Sequence, residues 1–191
     1  ISFRAPALRV NQDTAVALAE TNFLIDSSIA SQRFDMFMSF GGLKKMKWLI
    51  APRCPYRTKS NNLFSKGDGE IVEIPISATL LPYVGTTMRI FPKITSMQRR
   101  LLHAESKLSG KPIVFLIHPN EFIDESGESR VISRRVNNYL LFLIQDSLRA
   151  RLKTKNLGSN CVKLYNDEIS YFIKKNYSFL TFKEYYKSLA I

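Results

Sequence analysis

The sequence predicts an α/β fold built on parallel strands, and three observations carry that expectation. Residues 1–28 run strand, helix, strand, the rhythm of a parallel βαβ unit. Ile113-Val-Phe-Leu-Ile117 is an unbroken apolar run that ends in His118-Pro119, as a buried strand does when it opens into a functional loop. Apolar residues make up 45% of the 191, with 13 Phe and 8 Tyr, enough to bury a sizeable core in one domain or most of one.

Taken in order, Ile1–Arg4 reads as a strand that stops at Pro6. Asp13 offers an N-cap for a helix over Thr14–Thr21, with Val16, Leu18 and Ala19 inward. Phe23–Ser28 is a short strand with a polar exit. Residues 30–69 are rich in Gly, Pro, Lys and Ser; Trp48–Pro52 is a candidate small strand, Arg53–Asn62 a loop, and Lys66-Gly-Asp-Gly69 a turn. Glu70–Ile76 alternates weakly and reads as a strand that Pro75 places at an edge or an exit. Residues 77–94 read as a long loop of the kind that walls a site. Ser96–Leu108 has helical spacing, with Leu101, Leu102 and Leu108 inward and Gly110 as the stop. A polar loop over Asp124–Arg130 leads to a helix over Val136–Lys153, and Asn156–Asn160 breaks it. The tail, Asp167–Ile191, reads as one or two amphipathic helices broken near Asn176.

No apolar run approaches the roughly 18–20 residues of a membrane span, and no signal peptide begins the chain. Cys54 and Cys161 form no CxxC pair, so with the two histidines the chain lacks the ligand spacing of a Cys/His zinc knuckle; a Cys54–Cys161 disulfide stays open. The net charge of +12 suggests an anionic partner, but the basic residues are dispersed and several sit near helix ends, so solubility and capping account for them better than specific nucleic-acid binding.

The chemistry-bearing residues stand at strand ends. Phe3-Arg4-Ala5-Pro6 is followed some twenty residues later by Asn22-Phe23-Leu-Ile-Asp26-Ser27-Ser28. Tyr56-Arg57, then Gly67-Asp-Gly-Glu-Ile-Val-Glu73-Ile-Pro75-Ile-Ser77, then Phe115-Leu-Ile-His118-Pro119, and last Phe179-Leu-Thr181-Phe-Lys-Glu184 complete the set. In order and spacing these segments resemble the polysaccharide deacetylase family, also called the NodB-homology or carbohydrate esterase 4 fold. Asn22 stands where that family usually has Gly, and either serves as a helix C-cap.

The resemblance implies a distorted (β/α)7-type barrel of which 1–191 would be the C-terminal two-thirds, a single domain lacking its first strands. It implies hydrolysis of N-acetyl groups on an amino-sugar polymer, with a divalent metal, zinc above all, that polarises the carbonyl and activates water. The family holds its metal through an Asp-Asp motif and a His-x-x-x-His motif, and this sequence contains neither. The residues it does contain are given roles by the resemblance. His118 would be the general acid that protonates the departing nitrogen. Arg4 would hold the catalytic base ionised through its planar fork. Asp26 would orient and charge the acid. Pro6 would shape the rim, Leu116 would line the acetate pocket, and Trp48 is the candidate aromatic wall.

Each has a plainer alternative: a satisfied histidine at a strand terminus, an exposed arginine, a helix cap at Asp26-Ser27-Ser28. The competing function is a deacetylase-like domain that binds without catalysis. A barrel lacking its first strands leaves an open sheet edge, so self-association is expected.

Overall fold

In the computed structural model residues 2–32, 47–124, 151–152 and 154–189 are described. They fall into two compact units, the first made of Ile1–Tyr83, Gln98–Phe115 and Tyr177–Ile191, the second of Val84–Met97 and Leu116–Asn176. The fold is mixed α/β.

The first unit holds a five-stranded sheet in the order β1-β2-β5-β3-β4. Strands β1 (Ser2–Phe3), β2 (Ile25–Asp26) and β5 (Val72–Glu73) run parallel, in the register Ser2–Ile25–Val72 and Phe3–Asp26–Glu73. Strand β3 (Tyr56–Lys59) is antiparallel to β5 and forms a hairpin with β4 (Asn62–Lys66).

Helix α1 (Gln12–Glu20) links β1 to β2. Its cap is Asn11, not Asp13: the Asn11 side chain accepts from Thr14 N while Thr14 Oγ1 accepts from Asn11 N. Asp13 falls in the first turn, where the helix dipole favours an anion. Ala15 and Leu18 face inward, whereas Val16 is exposed. Asn22 ends the helix at φ 58°, and Phe23 N reaches back to Leu18 O, which turns the chain into β2.

Three expectations fail between residues 47 and 94. Trp48–Pro52 is not a strand: Lys47–Ile50 forms a one-turn helix, α2, because a four-residue apolar run carries no periodicity that separates the two. Arg53–Asn62 is not a loop but contains β3, whose Tyr56 and Thr58 are buried. Residues 77–94 contain α3 (Gly85–Ile90).

The expected turn at Lys66–Gly69 closes the hairpin. A Cβ on Gly69 would lie 2.7 Å from Thr58 O, so only glycine fits that approach. Strand β5 is central rather than an edge. Ile71 to Ile76 are buried on both faces, which explains the weak alternation. Ile74 N and Ile76 N bond to Asp26 O and Ile29 O, so Pro75 occupies a position where no N–H is needed.

The apolar run Ile113–Ile117 is not a regular strand. Val114 pairs with Ser77 through Ser77 N to Val114 O and Val114 N to Ser77 Oγ, and Leu116 makes a single bridge to Val84. Its partners are irregular, so no ladder forms. Helix α4 (Pro92–Ser109) contains the expected Ser96–Leu108 but starts four residues earlier, with Gly110 left-handed behind it, and only Leu102 of the three leucines is buried; Leu101 and Leu108 are exposed.

The second unit holds α3, the start of α4 (residues 92–97), a 3-10 turn at Pro119–Phe122, and α5 (Ser159–Lys174), which follows Asn156 and Gly158, both at positive φ. Asn176 at φ 58° gives the break expected near it, and α6 (Phe182–Ser188) follows in the first unit. Nearly all of the expected loop 124–130 and helix 136–153 lies outside the described residues. Cys54 and Cys161 are free thiols. Among the described residues no helix is long and apolar enough to cross a membrane.

Candidate functional site

Three adjacent parallel strands end in charged residues at one edge of the sheet. Arg4 directly follows β1, Asp26 closes β2 and Glu73 closes β5. In open α/β sheets that edge is where ligands and catalysis are placed.

The Asp26-Ser27-Ser28 turn ties the three strand ends together. Arg4 Nε donates to Ser27 O and Nη2 to Ser27 Oγ, both at 2.9 Å. Ala5 N donates to Ser28 Oγ at 2.8 Å, and Ser28 Oγ donates to Asp26 Oδ1 at 2.6 Å. Glu73 Oε1 accepts Ile29 N at 3.0 Å. The guanidinium is therefore held flat, and the Phe182 ring lies 5.4 Å from its central carbon, within cation–π range. Phe182 opens α6, where Thr181 and Glu184 form a capping box, so the motif-like Phe179-Leu-Thr181-Phe182 segment delivers that ring.

Asp26 and Glu73 are both fully buried side by side. Asp26 Oδ2 and Glu73 Oε2 find no other hydrogen-bond donor. Two buried anions in that position repel, which favours a protonated form of the pair. Burial, then the charge of Asp26, pushes the Glu73 carboxyl well above the usual range. Burial also pushes Asp26 up, against hydrogen bonds from Glu73, Ser28 and the Ser27 N–H and the charge of Arg4. Both carboxyls are thus pushed toward the neutral form, Glu73 more strongly, in the field of the Arg4 cation. Burial pulls the Arg4 guanidinium below its ordinary value, and the charges of Glu73 and Asp26 push it back. Tyr56, opposite Glu73 on β3, is raised by burial and by both carboxyls, and its hydroxyl donates to Leu63 O at 2.6 Å.

Among the sequence-predicted residues, the structure brings Arg4 and Asp26 together through Ser27 and Ser28. Pro6 is exposed and opens a 3-10 turn, Pro6–Leu8, in which Ala7 and Leu8 hold φ of 53° and 55°. Left-handed backbone at two non-glycine residues beside Arg4 is strain stored next to the cluster. Trp48 is buried at 3% exposure on α2, so its ring presents no open wall. Leu116 and His118 belong to the second unit. Leu116 O accepts Gly85 N at 2.7 Å, and the His118 side chain is exposed at the head of the Pro119–Phe122 turn.

Glu73 was not expected at the site. Its signal was available: a lone carboxylate inside the apolar Ile71–Ile76 run is a charge that a doubly covered strand would bury. Among the described residues no group of three or more His, Cys, Asp or Glu is arranged to hold a metal ion. Asp26 and Glu73 are closed off by Ser28, Ile29 and the Arg4 cation, which does not fit a zinc donor set, and no step here is routed through a metal. No family model, curated protein or solved structure matches the chain.

Proposed function

We propose that this chain is part of a polysaccharide deacetylase, an amidohydrolase that removes N-acetyl groups from an amino-sugar polymer or glycan. On this reading the five-stranded sheet belongs to a distorted (β/α)7-type barrel. The single observation that carries the proposal is the convergence of Arg4, Asp26 and Glu73 at the ends of three neighbouring parallel strands, each in a segment that resembles the family's.

In the reaction, a water oxygen adds to the acetyl carbon while the catalytic base takes a water proton, the C–N bond breaks, and the nitrogen electron pair takes a proton from the acid. Acetate and a free amine leave. The family's divalent metal, zinc above all, would activate the water; its ligands are not among the donors described above. His118 is the group on this chain suited to give the proton, since imidazole exchanges one near neutrality. Arg4 supplies fixed N–H donors for the catalytic base. Its Nε and Nη2 are held by Ser27, and the Phe182 ring lies against it. Burial of Asp26 and Glu73 beside each other pushes both carboxyls toward the neutral form, which limits the negative charge facing Arg4.

The test is acetate release from N-acetylglucosamine oligomers by the full protein supplied with zinc. Wild type should release acetate, and His118→Ala should lower turnover by about 10²-fold or more. Equal turnover in that variant removes His118 from the acid role. A second reading, a deacetylase-like domain that binds glycan without catalysis, is favoured by the lack of Asp-Asp and His-x-x-x-His in this sequence. Glycan binding with no acetate from the wild type selects it.

A further inference from the structure

In the second unit an exposed histidine stands on a buried ion pair. Glu121, three residues after His118, is buried, and its carboxylate is gripped from two sides. Oε1 accepts Thr86 Oγ1 at 2.9 Å and Arg89 Nε at 3.0 Å, both from α3. Oε2 accepts the main-chain N–H of His118 at 3.2 Å. The Glu121 N–H in turn donates to His118 O at 2.9 Å, so both backbone groups of His118 are tied to one residue. Pro119 fixes the next φ.

The grip is itself held. Arg89 Nη1 donates to Lys155 O at 2.6 Å, Asn156 Nδ2 donates to Arg89 O at 2.7 Å, and Gly158 N donates to Glu121 O at 3.1 Å. Gly85 leaves room for the carboxylate, because a Cβ there would collide with Glu121 Oε2 and come within 2.8 Å of Ile117 Cγ1. The Arg89 and Glu121 side chains are 4% and 5% exposed. Capping a surface turn needs only a serine or an asparagine. A desolvated ion pair is a costly way to achieve a cap, and what it adds is a single fixed geometry.

We propose that Glu121, clamped by Arg89 and Thr86, is a positioning residue for His118, fixing the backbone from which the imidazole reaches the departing nitrogen. The inference rests on the reading of His118 as the acid. The reaction changes by no atom; the clamp sets only where the imidazole stands.

The experiment measures acetate release from N-acetylglucosamine oligomers by the full protein across pH, with folding checked by circular dichroism. Glu121→Gln and Glu121→Asp should each lower kcat by about 10–100-fold with KM within about twofold. Thr86→Val, nearly isosteric and the safeguard if the Glu121 variants fail to fold, should lower kcat severalfold. Wild-type kcat in the folded variants, alongside a His118→Ala variant that has lost activity, overturns this inference alone. No acetate from the wild type overturns the deacetylase reading beneath it, and this inference with it.

Discussion

Glu73 is the residue on which the electrostatics of the first unit turns. Its carboxyl and that of Asp26 lie on adjacent parallel strands in register, both fully buried. A carboxyl whose folded value is raised is held protonated by the fold while the unfolded chain has already ionised. Between those two values the native state binds more protons, so stability falls as pH rises. The window opens at the ordinary carboxylate range and extends upward through the raised value of Glu73. Glu73→Gln fixes the neutral state and keeps a donor toward Asp26. Urea unfolding from pH 4 to pH 8 should therefore show Glu73→Gln gaining on the wild type as pH rises, at up to about 1.4 kcal/mol per pH unit for one proton. A constant difference across that range would mean that Glu73 is not the proton holder. At this scale the sequence was informative where a residue's role is local: Asn22 announces a left-handed cap, and Arg4 and Asp26 mark strand ends. The Asp26–Glu73 pair was hidden because strand register, which sets them side by side, is fixed by tertiary pairing between residues 47 positions apart.

Elements were legible in proportion to their length. Helix α4, at 18 residues, was found with its glycine stop, whereas two-residue strands such as β1 and β5 were visible only as apolar runs. The reversed assignment of Trp48–Pro52 and the loss of the Ile113–Ile117 strand have one cause, since short apolar runs take whichever form their partners allow. Helix α6 shows how a terminal element serves the cluster. Its seven residues are held by the Thr181–Glu184 capping box, which presents Phe182 to Arg4. Thr181→Ala should cost about 1 kcal/mol of helix stability. It should raise amide hydrogen exchange in residues 182–188 while leaving α4 protected. Unchanged exchange in α6 would show that packing, not the cap, holds the helix.

At the scale of the whole molecule, the described sheet has β1 at one border and β4 at the other. Strand β1 pairs with β2 alone among the described residues, and an uncovered strand edge is a template for another chain. Light scattering on this chain by itself should show self-association that rises with concentration; a monodisperse monomer over the same range would show that the β1 edge is covered. The net charge of +12 opposes aggregation. The central claim is that the parallel strand ends serve a deacetylation, with Arg4 acting through its fork rather than its charge alone. The most direct measurement is acetate release from N-acetylglucosamine oligomers by the full protein as wild type and as Arg4→Lys. The account predicts clear release by the wild type and a loss of about 10–100-fold in the variant, which keeps the charge but not the fork. No release by the wild type, or equal release by both, would contradict it.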